Sequence, residues 1–101
     1  MSDLIYHIEY SRGATENLSE LTAAERMRVL DTVDVQLTHE PTVITRNRKL
    51  MRPNPLAGWE LRIGTLRVYY DVDDTLATVT IIAVGTKLGN QVRIGGEVVD
   101  L

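Results

Sequence analysis

Arg62 and Arg67 flank Gly64-Thr65 within Trp59-Glu60-Leu61-Arg62-Ile63-Gly64-Thr65-Leu66-Arg67-Val68-Tyr69-Tyr70-Asp71. Glycine tolerates the positive φ demanded at the first central position of a type II′ turn, and alternating apolar residues flank it, so the stretch reads as a β-hairpin. Pairing outward from the turn sets Ile63 opposite Leu66, Arg62 opposite Arg67, Leu61 opposite Val68, Glu60 opposite Tyr69 and Trp59 opposite Tyr70. Paired residues share a face. One face holds Trp59, Leu61, Ile63, Leu66, Val68 and Tyr70 and belongs to a core, which argues against Trp59 and Tyr70 as base-stacking platforms. The other holds Glu60, Arg62, Arg67 and Tyr69. Two arginines directly opposed cost up to about 1 kcal/mol unless an anion lies between them. A nucleic-acid phosphate would serve, as would a solvated face neutralised by Glu60 and Asp71.

The elements around this hairpin follow from pattern and punctuation. Leu4 to Tyr10 reads as a first strand, ended by Ser11-Arg12-Gly13, and a short helix spans about Ala14 to Glu20. Thr22-Ala23-Ala24-Glu25 is a capping box that starts a second helix running to about His39, with Met27, Leu30, Val33 or Asp34, and Leu37 as its apolar stripe. Pro41 stops it. Residues 42–58 read as a connecting segment with Arg46, Arg48, Lys49 and Arg52 and the Pro53-Asn54-Pro55 turn. After the hairpin, Asp73-Asp74-Thr75-Leu76 turns into a β-branched strand from Ala77 to Val84, closed by Gly85. Gln91 to Ile94 and Glu97 to Leu101 form short edge strands. The order predicts an α+β fold: an N-terminal strand, a helical hairpin, then an antiparallel β-meander in one domain over residues 1–101.

Composition narrows the function classes. The chain has 101 residues, 44% of them hydrophobic and 25% charged, the balance of an ordinary globular domain. Cysteine is absent, which excludes a disulfide framework and a thiolate nucleophile and suits a reducing cytoplasm. No apolar run is long enough to span a bilayer, and Met1-Ser2-Asp3-Leu4 lacks a basic leader, so a cytoplasmic protein with no membrane partner is expected. The net charge of −3 hides a division: residues 1–45 carry 3 basic and 8 acidic side chains, residues 46–101 carry 8 and 6. A local basic cleft is compatible with an acidic whole, because screening confines distant charges to roughly 8–10 Å. The histidines read as structural: His7 lies mid-strand, and His39 sits at a helix C-terminus where the dipole favours imidazolium. Asp71, Asp73 and Asp74 read as turn polarity, so neither metal nor cofactor is expected.

The N-terminal strand, the helical hairpin, the Trp59-to-Asp71 block and the following Val84-Gly85-Thr86-Lys87 resemble the RelE/ParE toxin superfamily over nearly the whole chain. The resemblance implies the toxin of a type II toxin-antitoxin pair, with a small cognate antitoxin that wraps it and operator DNA reached through that antitoxin. It implies one of two targets: mRNA in the ribosomal A site, cut by the toxin as a nuclease, or DNA gyrase. Fold alone does not separate these, and a third reading is a catalytically inactive module that acts only with its antitoxin. Carried over from the ribosome-dependent nucleases, Arg62 and Arg67 take the hairpin arginine positions and Lys87 that of a late basic residue. The expected lysines fall at Gly58 and Glu60 and the expected tyrosine at Arg93, which are departures from the pattern.

Cleavage through a ribose 2′-hydroxyl needs a base, donors for the charge that builds on phosphorus, and an acid for the leaving 5′-oxygen. Arginine fits the second task, since its planar guanidinium donates in pairs to phosphate and stays charged. Arg62 and Arg67 are the expected clamp and Glu60 the expected base, weakened because a neighbouring arginine favours its ionised form. Lys87 or Tyr69 would supply the proton. Arg46, Arg48, Lys49, Arg52 and Arg93 are the candidate contacts to RNA backbone. The antitoxin is expected on the sheet edge at Val92 to Leu101.

Overall fold

Side-chain caps set both helices. Ser11 Oγ accepts from Ala14 N at 3.0 Å and starts α1 at Arg12–Ser19, two residues before the expected Ala14, because this serine cap ends the first strand and opens the helix together. Thr22 and Glu25 make the expected capping box, with bonds of 3.1 and 3.0 Å, and open α2 at Ala23–Leu37. The computed structural model describes residues 4–100, so the end of the last expected strand, at Leu101, lies outside the described residues. The strands are β1 His7–Tyr10, β2 Arg48–Leu50, β3 Trp59–Ile63, β4 Leu66–Asp73, β5 Thr78–Leu88, β6 Gln91–Ile94 and β7 Glu97–Val99.

These strands form one sheet in the order β2-β3-β4-β5-β6-β7, antiparallel throughout, while β1 lies parallel to the first half of β5. The α+β order expected from sequence is the order observed. Gly64 has φ +60 at the β3–β4 turn, and all five expected hairpin pairs are present. Both helices cover one face of the sheet. Val29, Val33 and Leu37 of α2 and Ala14 and Leu18 of α1 pack with Leu61, Val68, Tyr70, Val79 and Ile81 in one buried cluster. Met27 stays 56% exposed, so the buried stripe of α2 runs at four-residue spacing from Val29, not from Met27. Tyr70 donates to Pro41 O at 2.7 Å and stacks on Trp59 with ring centroids 6.1 Å apart, tying the end of the helical hairpin to the sheet.

Two expectations are corrected. The segment 42–58 contains β2, which pairs with β3 with Arg48 opposite Leu61, Lys49 opposite Glu60 and Leu50 opposite Trp59. The expected strand end at Gly85 is also passed, since β5 continues to Leu88. Glycine is required there by close approach: a Cβ on Gly85 would lie 2.5 Å from Arg93 O and 2.8 Å from Ile94 Cγ1.

The β2 register turns Arg48 toward the helices and takes it out of the expected RNA-contacting set. Buried, it donates Nη1 to Gln36 O at 2.7 Å, a last-turn carbonyl of α2 that has no partner inside the helix, and to Glu40 O at 2.6 Å in the loop that follows. Arg48→Ala is expected to lower stability by about 2–3 kcal/mol, the cost of losing charged hydrogen bonds inside a fold. The urea midpoint should fall with an unchanged slope, whereas exposed Arg46→Ala should stay within about 0.5 kcal/mol of wild type.

Candidate functional site

The second face of the sheet carries the charged residues in two lateral rows. Lys49, Glu60, Tyr69 and Ala83 lie side by side across β2, β3, β4 and β5; Arg62, Arg67, Gly85 and Ile94 follow across β3, β4, β5 and β6. Between the rows and β5, the register shifts at Tyr69/Tyr70. Tyr69 faces Ala83 and Tyr70 faces Ile81, leaving Ile82 as the extra residue of a β-bulge. Ile81 and Val84 then both join the helix-side cluster although three residues apart, and Lys87 falls on the charged face.

The five expected catalytic residues, Glu60, Arg62, Arg67, Tyr69 and Lys87, line one cleft of about 210 Å³, closed on one side by Val92, Val99 and Asp100. Lys49 lines the same cleft. The other expected backbone contacts separate. Arg52 borders an adjoining cleft of about 300 Å³, Arg46 is exposed on the loop before β2, and Arg93 lies beside Asn17 and Glu20 on the helix side. The signal for Lys49 was the alternation Arg48-Lys49-Leu50, too short to be legible as a strand. His7 is exposed on β1 with Nε2 3.5 Å from Glu9, far along the sheet from these rows. Among the described residues, no group of three or more His, Asp or Glu side chains is placed to hold a metal ion.

Arginine repulsion is relieved inside the protein. Arg62 Nε sits 3.0 Å from Glu60 Oε1, while Arg67 folds back and donates Nη1 to Gly64 O at 2.7 Å and Leu66 O at 2.9 Å. Asp71, expected to help neutralise this face, instead accepts from Gly58 N at 2.6 Å. Nor is the face an open solvated one. Glu60 and Arg67 are each 9% exposed and Tyr69 is fully buried, because Met51, Leu56, Val92 and Ile94 pack around a second cluster of Ala57, Tyr69 and Ala83. Among the described residues, Lys49 and Lys87 have no ion pair. They are the cleft's exposed cations, whereas Arg62 and Arg67 are held by hydrogen bonds within the protein.

Tyr69 forms the floor. Burial raises its hydroxyl well above the ordinary phenol range and the Glu60 carboxylate raises it further, against the pull of Arg67 and Arg62. An acid held that high and that deep is poorly placed to release a proton near neutrality, which leaves Lys87 as the better candidate of the two.

Neither protein-family profiles nor curated proteins match the chain. Solved structures do. A chain of the RelBE2 toxin-antitoxin complex from Mycobacterium tuberculosis is 26% identical with a TM-score of 0.74, covering 85% of this chain and 95% of that one. The intact RelBE complex of E. coli matches with 22% identity and a TM-score of 0.63 over 82% of this chain and 98% of that one. The isolated E. coli RelE toxin matches with 21% and 0.64 over 82% and 85%. Among the described residues, two helices laid on one face of a seven-stranded sheet are thus an α+β fold that matches the RelE structures. The chain shares the fold of these RelE toxins, a likeness that supports a toxin of the RelE superfamily.

Tyr69 is one of four tyrosines held above the phenol range. Tyr10 is pushed up to about 12 by burial and then by Asp34; Tyr70 is raised by burial against Arg48; Tyr6 is raised by its hydrogen bond to Asp74, then by burial. An unfolded tyrosine titrates near 10. Above that pH the unfolded chain releases protons that the folded chain keeps, so the tyrosines' contribution to stability should be constant below about pH 10 and be lost as pH rises through the folded values. Phenolate absorbance of the native protein should therefore lag behind that of the urea-unfolded chain and rise with unfolding; a full native titration near pH 10 would contradict the buried placement.

Proposed function

We propose that this chain is the toxin of a type II toxin-antitoxin pair that inhibits translation by cutting mRNA in the ribosomal A site. The observation that carries the reading is the grouping of Lys49, Arg62, Arg67 and Lys87 with the carboxylate of Glu60 in one cleft of the sheet. Arg67 keeps Nε and Nη2 free of protein acceptors among the described residues, so these can hold a phosphoryl oxygen as charge develops on it. Arg62 orients Glu60, whose carboxylate takes the 2′-hydroxyl proton. Oxygen attack on phosphorus forms the 2′,3′-cyclic phosphate, and Lys87 protonates the departing 5′-oxygen. Fixed hydrogen bonds keep Arg67 from having to reorganise during the step.

The cognate antitoxin is assigned to the outer edge of β7, the end of the sheet path, where Val98 is 52% exposed and a strand can be added. Operator DNA is reached through that antitoxin. A gyrase-inhibiting toxin is the second reading. It is favoured by Gly58 and Glu60 at the expected lysine positions, and by Arg93, at the expected tyrosine position, lying on the helix side away from the cleft.

Induced expression without antitoxin, following labelled methionine and thymidine together in wild type and Arg67→Ala, separates these readings. Early loss of methionine incorporation that Arg67→Ala abolishes is expected. Early loss of thymidine incorporation would point to gyrase, and no loss of either to the inactive module.

A further inference from the structure

An RNA strand does not end at the phosphate being cut, and the cleft does not end at Glu60. The adjoining cleft of about 300 Å³ shares Lys49, Met51 and Glu60 with the charged one and continues along Arg52, Pro53 and Asn54. Its size is at the lower bound of small-ligand clefts, about 300 Å³.

We propose that this second cleft binds the nucleotide next to the cleaved phosphodiester, its base against Met51 and Pro53 and its phosphate between Lys49 and Arg52. The inference rests on the RNA-cleaving reading above. Three observations support it beyond proximity. Lys49 and Arg52 are exposed and without ion pairs among the described residues, and both line the same cleft. Met51 is half-buried against the second cluster, which fixes an apolar surface where a base can shed water. Asn54 locks the wall: its Oδ1 accepts from Leu56 N at 2.8 Å and Ala57 N at 3.1 Å, while its Nδ2 donates to Arg52 O at 2.7 Å and Ala57 O at 2.9 Å. A wall already ordered loses little entropy when a ligand arrives. The one carboxylate in the cleft, Glu60, is held by Arg62 and so repels a phosphate less than a free one would.

The test uses fluorescently labelled, 2′-O-methylated adenosine dinucleotide and trinucleotide, which the protein cannot cleave, with binding read by anisotropy over a range of salt. Wild type should bind the trinucleotide at least about tenfold tighter, with a salt slope steeper by roughly 0.7 for the added phosphate. Arg52→Ala should reduce that ratio to less than about threefold, whereas Arg12→Ala on α1 should preserve it. A ratio near one in wild type, or an undiminished ratio in Arg52→Ala, would overturn the subsite. If the ratio fails while methionine incorporation still collapses on expression, the subsite falls and the RNA-cleaving reading survives; if neither oligonucleotide binds and incorporation is unaffected, both fall.

Discussion

The geometry of the cleft depends on the extra residue at Ile82. A β-strand alternates its side chains strictly, so counting from Val79 and Ile81, which are buried under the helices, would put Lys87 on their side. With Ile81 opposite Tyr70 and Ala83 opposite Tyr69, the bulge resets the count, and Lys87 emerges on the face of Arg67 and Tyr69. The backbone at the bulge is bonded to α1 and its cap. Ser11 Oγ donates to Ile82 O at 2.9 Å while accepting from Ala14 N, and Asn17 Oδ1 accepts from Val84 N at 3.0 Å. Helix α1 thus holds the irregularity from both sides, and the residue that caps the helix also fixes the strand on which Lys87 stands.

Glycine completes the arrangement. Gly85 lies opposite Arg67, and its missing side chain admits the close approach of β6 at Arg93 and Ile94. Burying charge of this kind is costly unless each group finds partners. Glu60 and Arg62 find one another, and Arg67 finds two turn carbonyls. Lys49 and Lys87 remain exposed at the rim, where water solvates them. This arrangement lets an acidic chain hold a cationic cleft: 8 of its 14 acidic side chains lie in residues 1–45, whereas the cleft is built from residues 49–100.

Much of this was legible in the sequence, in places where one local signal was decisive. Gly64-Thr65 determined the hairpin register residue by residue, and Thr22 with Glu25 determined the start of α2. The rest depended on contacts distant in sequence. Strand β2 has three residues and no visible periodicity; its pairing with β3 turns Arg48 inward to the end of α2 and Lys49 outward to the cleft. Gly85 reads as a terminator in sequence, and only the approach of β6 shows why a strand keeps it. The bulge left no local mark at all, so Lys87 entered through resemblance to known toxins and not through its own spacing.

The most direct measurement is incubation of the purified chain with mRNA, free and paused on purified ribosomes, followed by mapping of the new ends and their chemistry. Cuts confined to the A-site codon of ribosome-bound mRNA, with 2′,3′-cyclic phosphate and 5′-hydroxyl ends, are expected. Intact mRNA on ribosomes, or cuts carrying 5′-phosphate ends, would contradict a cleft that uses Glu60, Arg67 and Lys87 to drive attack by the 2′-hydroxyl.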